Sequence, residues 1–153
     1  MTKKTYKSYK FRLYPNVEQK EMFAKTFGCA RAIWNMMLAD KIKYYEETGD
    51  FLKNNTPAQY KKEYPWLKEV DSLALSNVNL NLQKAYKSFF NSKFGFPKFK
   101  AKRYRQSYKT NNQNGTITLK NGKVKLPKIG WVKTKQPRKV LGTIKNATIS
   151  KST

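Results

Sequence analysis

The sequence has no histidine and a single cysteine, Cys29, in 153 residues. Without an imidazole there is no His-based triad, no His-ligated metal and no imidazole general base. One thiol excludes an internal disulfide and a Cys-cluster zinc site. Acids are scarce, nine against 33 Lys and Arg, for a formal net charge of +24. No apolar run approaches the roughly 20 residues of a membrane span. The basic start, MTKKTYKSYKF, leads into no apolar stretch of the kind a secretory signal needs. These absences predict a reducing, cytoplasmic setting with no membrane partner. Hydrophobic residues still make up 39% of the chain. A modest core is expected, in one domain or in two small ones that share it.

The distribution of charge says more than its total. All nine acids lie between Glu18 and Asp71, so residues 1–71 carry 14 basic and nine acidic residues, a net of +5. Residues 72–153 carry 19 basic residues and no acid, a net of +19. A compact region at that charge repels itself, and a phosphate backbone is the commonest relief. An anionic membrane would call for one continuous basic amphipathic helix, whereas this charge is spread over loops and strand-like segments. Metal-dependent phosphodiester cleavage needs two or three carboxylates around divalent ions. The second half has none, and most acids of the first half have a basic neighbour. No catalytic residues and no metal site are therefore expected in this chain.

Local patterns predict an α+β chain. Tyr9, Phe11 and Leu13 alternate with Lys10 and Arg12, which reads as a half-buried strand over 6–14 that Pro15 ends. Asn16 followed by Gln19 reads as a capping box that opens a helix over 17–48, with Gly49 as its stop. Thr56-Pro57-Ala58-Gln59 starts a second, two-turn helix to Tyr64. Asp71 caps a third, over 72–91, with Leu75, Val78, Leu82, Ala85 and Phe89 as its buried stripe. Residues 116–119 and 123–126 alternate about Asn121-Gly122, a hairpin signal. Residues 131–135 and 142–151 read as further short strands, and the first strand should join them.

Several constellations could carry function, each beside a plainer reading. From Phe94 to Arg105 aromatic and basic residues interleave, as in surfaces where cations meet phosphates and rings stack on unpaired bases. The plain alternative is that Phe94, Phe96 and Phe99 plug the core. Asn77, Asn81, Lys84 and Ser88 form a polar stripe that could enter a groove or be a solvated face. Asn111, Asn112, Gln113 and Asn114 form an amide cluster in a loop, which could equally be a turn. Cys29, Trp34, Trp66 and Trp131 read as packing residues.

The motif series itself resembles a known family. It runs Tyr9-Lys-Phe-Arg-Leu-Tyr-Pro15, Phe27-Gly-Cys-Ala-Arg31 with Asn35, Pro65-Trp-Leu67 with Asp71, and Ala85-Tyr-Lys-Ser-Phe-Phe90. Gly95-Phe-Pro-Lys-Phe99, Ser107-Tyr108 and Leu126-Pro-Lys-Ile-Gly-Trp131 continue it. In order and spacing this is similar to the N-terminal lobe of the TnpB family, the OrfB-type proteins of bacterial insertion sequences related to type V CRISPR effectors. The resemblance implies a small wedge-type β-barrel, residues 1–15 and 94–153, interrupted by an inserted helical recognition domain of about three helices, residues 16–93. It implies an RNA-guided DNA endonuclease whose lobe holds guide RNA and reads a short target-adjacent motif in double-stranded DNA. By motif position, Ser76, Asn77, Gln113 and Asn114 would face that motif. Lys84, Lys98, Lys100, Lys102, Arg103, Arg105, Lys109, Lys133 and Lys135 would meet nucleic-acid backbone. The family's magnesium-dependent RuvC-like domain and its zinc ribbon would lie beyond the matched motifs, so this chain is expected to be non-catalytic and to need no cofactor of its own. The expectation covers a fragment, a truncation or one half of a split protein working with a separate catalytic chain, in a bacterial or archaeal, nucleoid-associated setting. Two other functions remain open at this point: an RNA-independent helix-turn-helix DNA-binding protein of transposition or repression, and a structural RNA-binding protein.

Overall fold

The longest element forms where the capping signals put it. In the computed structural model, which describes residues 4–92, 95–135 and 139–151, helix α1 runs Val17–Thr48. The Asn16 side-chain oxygen accepts from the Gln19 amide at 2.8 Å, and Gln19 Oε1 accepts from the Asn16 amide at 3.0 Å. Two otherwise orphaned donors of the first turn are thereby satisfied. The helix ends at Gly49, whose φ of 72° lets its N–H reach back to the Tyr45 carbonyl.

Helix α2, Pro57–Glu63, and a 3-10 turn, Pro65–Glu69, follow. Helix α3, Ser72–Ser92, starts where the Asp71 carboxylate accepts from the Leu73 amide at 3.0 Å. Strand β1, Arg12–Tyr14, precedes the helices. Strands β2, Ser107–Asn111, β3, Thr118–Lys120, β4, Lys123–Leu126, β5, Gly130–Lys135, and β6, Asn146–Ser150, come after them. The order strand, helices, strands is the expected α+β arrangement.

The strands form an antiparallel four-stranded sheet in the order β1-β5-β4-β3 and a two-stranded antiparallel sheet, β2-β6. Strand β1 does join the later strands, pairing Arg12 with Lys135 and Tyr14 with Lys133. Its hydrogen-bonded span is shorter than the 6–14 expected. Among the described residues no ladder joins the two sheets into a closed barrel; they meet through a shared core instead. The β3–β4 turn is the anticipated one, with φ of 51° at Asn121 and 72° at Gly122. Both residues of a type I′ turn need positive φ, which Asn and Gly supply at least cost. Strand β2 was not expected. Its polar sequence, Ser-Tyr-Lys-Thr-Asn, has little strand signal, and its burial comes from contacts far along the chain.

Two core clusters divide the length of α1. Cys29, Ile33, Trp34, Met37 and Leu38 pack with Tyr60, Leu67, Val70, Leu75 and Leu82 of the other helices. Phe23, Phe27 and Ala30 pack with Ala74 and with Tyr108, Ile117, Leu126, Val132 and Ile149 of the strands. Helix α1 is therefore the spine common to both. Cys29 is buried packing, as expected, and burial pushes its thiol pKa up. Trp34 is a core anchor too. Trp66 and Trp131 are not, being 44% and 43% exposed. For Trp131 the cause is strand parity, because Val132 and Thr134 take the inward face of β5.

Candidate nucleic-acid interface

Three basic or amide-rich surfaces arise from this frame. The first is a strap. Residues 95–106 form no regular element, and their backbone is fastened to one side of α1. Trp34 Nε1 donates to the Lys98 carbonyl at 2.8 Å. Asn35 grips Lys100 from both sides: its Nδ2 donates to the Lys100 carbonyl at 2.9 Å, and its Oδ1 accepts from the Lys100 amide at 2.8 Å. With the backbone held, the side chains turn outward. Lys98, Phe99, Lys102, Arg103, Tyr104 and Arg105 are exposed. Arg103 lies 5.4 Å from the Tyr104 ring centre, and the Lys100 ammonium sits 4.2 Å from that of Trp34. Pro97 is buried, whereas Phe96 and Phe99 are not, so neither of these two phenylalanines plugs the core. Phe96 packs edge-on against Tyr86 and Phe89, at 5.4 and 5.3 Å. Phe94 lies outside the described residues.

Under the strap runs a cleft of about 220 Å³ whose floor is the groove between α1 and α3. Lys100, Arg105 and Lys109 line it together with Arg31, and no acid does. Burial lowers the Lys100 pKa from the ordinary lysine value.

The second surface joins the start of α3 to the amide loop. Asn77 Nδ2 donates to the carbonyls of Leu73 and Lys109, at 2.9 and 3.0 Å, and to Asn111 Oδ1 at 2.7 Å. Asn77 is only 6% exposed. Its amide nitrogen is spent on the fold, which argues against the base-edge role given to it above. The same bond draws α3 against β2 and so carries exposed Ser76 toward the loop that follows Asn111. Within that loop Asn112 is the organiser: its Oδ1 accepts from the Gly115 and Ile117 amides, both at 3.1 Å, and its Nδ2 donates to the Ile144 carbonyl at 2.8 Å. Gln113 and Asn114 are left with exposed side chains. The amide cluster thus splits into two structural members and two outward ones. Lys84 is exposed two turns further along α3 than Asn77.

The third surface is the outer face of the four-stranded sheet, of which sequence reasoning found only Lys133 and Lys135. The register sets Arg12 opposite Lys135, Lys133 opposite Lys123, and Lys123 opposite Lys120. Lys125 lies opposite Trp131, and Tyr14 opposite Lys133. Residues directly opposite in a ladder share a face. Six cations and two exposed aromatics therefore stand on one side, while Val124, Leu126 and Val132 face the core. Like charges opposite one another destabilise a sheet. The missed signal was the alternation Lys123, Lys125 against Trp131, Lys133, Lys135, which becomes a face only once the strand order is known.

Among the described residues, no three acids or thiols gather where they could hold an ion. No described helix is long and apolar enough to cross a membrane.

A helix-turn-helix domain of the OrfB IS605 type matches residues 1–50. Over 97% of its length the chain is 28% identical to InsQ of Escherichia coli (strain K12), named as an RNA-guided DNA endonuclease. Over 84% it is 28% identical to a Streptomyces pristinaespiralis protein named likewise. The chain belongs to the TnpB family of OrfB-type proteins. It spans 38% and 33% of those two TnpB-like relatives. It is also 36% identical to virulence protein VsdF of Salmonella dublin, over 59% of this chain and 88% of VsdF. In this TnpB-family chain the matched helix-turn-helix stretch holds β1 and the start-to-end length of α1. Residues 17–48 form one unbroken helix, so residues 4–50 contain no turn between two helices.

Proposed function

We propose that this chain is the nucleic-acid recognition part of a TnpB-like RNA-guided DNA endonuclease. It binds a guide-type RNA scaffold and a short target-adjacent motif in duplex DNA, and it does no chemistry itself. Cleavage in this reading belongs to residues outside this chain, continuous with it or on a separate chain, and no cofactor is required here. The observation that carries the reading is the acid-free strap, cleft and sheet face of a half with net charge +19. Such surfaces repel themselves until phosphates neutralise them. Ser76, Gln113 and Asn114, exposed beside the Asn77–Asn111 clamp, are the motif readers, since amides and hydroxyls can read base edges. The strap cations Lys98, Lys102 and Arg103, with Lys133 and Lys135, contact backbone, and Lys84 extends that contact along α3. The reading puts the protein in the cytoplasm, on the nucleoid.

The test is to express the chain beside its native flanking DNA, wash at moderate salt and sequence what stays bound. One dominant structured RNA supports the proposal. A random mixture that salt removes counts against it. The name of the matched domain favours a second reading, RNA-independent binding to duplex DNA. A sequence-specific footprint without RNA would establish it, although an unbroken α1 offers no recognition helix of the usual two-helix kind.

A further inference from the structure

Arg31 belongs to none of the contacts assigned so far. It lies on the α1 face that also carries Phe27, Ala30 and Trp34, so its guanidinium enters the groove toward Ala74, Asn77 and Asn81 of α3. Its Nη1 is buried and has no hydrogen-bond partner in the protein. A guanidinium is always charged and carries five donors. Leaving one of them buried and unmatched is costly, and proteins normally place an acceptor there. The cleft it enters holds no acid, so no carboxylate can serve. Its other charged members, Lys100, Arg105 and Lys109, are cations, and the rest of its polar lining is neutral.

We propose that this cleft is a phosphodiester pocket, with Arg31, half-buried and with its Nη1 sealed from solvent, as its anchor. The proposal rests on the nucleic-acid reading above and adds a site to it. Three features select a phosphodiester over a diffuse counter-ion cloud. Arg31 offers planar donors that match two phosphate oxygens. Lys100 is a preset second cation, because Asn35 fixes its backbone and the Trp34 ring lies under its ammonium. The volume, about 220 Å³, exceeds what one phosphate fills and leaves room for the attached sugar. Exposed Tyr104 at the rim could cover the adjoining base. Either RNA or DNA can supply this group, and the pocket's chemistry is the same for both.

The experiment uses the full chain and the smallest probes that contain one phosphodiester, UpU and dTpdT. Each is run beside its uncharged methylphosphonate, while arginine Nε–Hε and side-chain amide resonances are followed by NMR. The expected result is a saturable shift at Arg31 and at the Asn81 amide with the charged dinucleotide and none with the neutral one. A stronger response to UpU assigns the pocket to RNA; a stronger one to dTpdT assigns it to DNA. Arg31→Met should abolish the saturable shift at Asn81 without lowering Tm, because it removes a buried, unmatched Nη1 group and keeps the apolar stem. Should Arg31→Met fail to fold, Lys100→Gln replaces it, with an expected affinity loss of roughly tenfold, the order of one charge-assisted hydrogen bond. An unmoved Arg31 signal, in a protein that still binds a short RNA or a DNA duplex, overturns the pocket and leaves the wider function standing. A protein that binds neither overturns both.

Discussion

Residues 17–92 interleave acids with their cations; residues 95–151 carry cations and no acid. Among the helices the Tyr60 hydroxyl donates to Asp40 at 2.5 Å and accepts from Asn55 at 3.2 Å. Lys25 meets Glu69 at 3.4 Å, and the Lys41 ammonium donates to the Leu52 carbonyl at 2.8 Å. Across the strap and sheets no ion pair forms among the described residues, and residues 72–153 contribute no acid to one. The first region carries its own acids to meet its cations. The second holds its strands together despite their charge, with Val132 and Leu126 buried behind Lys133 and Lys125. The difference separates residues whose loss should cost folding from residues whose loss should cost binding.

The sharpest break of that comparison is a core truncation on the helical side. Leu82 is fully buried among α1 and α2 residues. Leu82→Ala should destabilise the chain by about 2–5 kcal/mol, the usual cost of a Leu-sized cavity. Denaturant unfolding gives the number. Nucleic-acid affinity of the remaining folded protein should keep its salt slope. A changed slope would show that the two regions are not separable in this way.

Next comes the clamp that crosses the divide. Asn77→Ala removes a donor shared by three acceptors and leaves Asn111 Oδ1 without it, at a cost of about 1–3 kcal/mol. Its effect on binding should be equal for all DNA sequences. Ser76→Ala and Gln113→Ala should instead leave Tm within about 1 °C, as surface changes do, and alter which duplex sequence is preferred. A competition assay with a randomised duplex reads both. If Asn77→Ala shifted preference and Gln113→Ala did not, the division of roles at this end of β2 would be reversed.

Asn77 also shows what the sequence could and could not disclose. Capping boxes, the Gly49 stop and the Asn121-Gly122 turn are local, so their residues announce them. The membership of Asn77 in a polar helical stripe was visible, but the Lys109 carbonyl and Asn111 that bury it lie more than 30 positions away. Strand β2 was hidden for the same reason. Trp131 misled by its type: taken as an anchor, it would have turned Lys133 and Lys135 inward with it. Arg31 was legible in principle, since a cation four residues after Phe27 and three before Trp34 sits on the buried face.

A titration reads both sides, and one substitution isolates the helical share. Burial, then the bond to Asp40, raises the Tyr60 pKa from 10.0 to about 12. The unfolded chain loses that proton near pH 10 while the folded chain keeps it. The stabilisation is therefore complete below pH 10 and declines as pH rises through about 12. Burial raises Tyr108 as well, so part of the alkaline loss belongs to the strand side. Tyr60→Phe should flatten the decline between pH 10 and 12 and leave the Tyr108 share. Tm measured across that range checks it, and an unchanged profile would place the whole alkaline loss elsewhere.

The smallest effect is the most discriminating, because its sign is opposite in the two assays. Lys133 faces Lys123 across β4 and β5 and stands beside Lys135 and Trp131 on the same side. Lys133→Gln removes a like-charge pair, which should raise stability by about 0.2–1 kcal/mol at low ionic strength. The gain should shrink as salt is added, since screening already weakens the repulsion. In binding, the same change should lower the slope of log Kobs against log salt by about 0.7 for single strands or 0.9 for duplex, one phosphate's share. A core position cannot behave this way, because a packing loss lowers stability whatever the salt. A solvated face kept only for solubility cannot either, because its binding slope would not move. Gain in one assay and loss in the other is what a sheet face reserved for a polyanion must give.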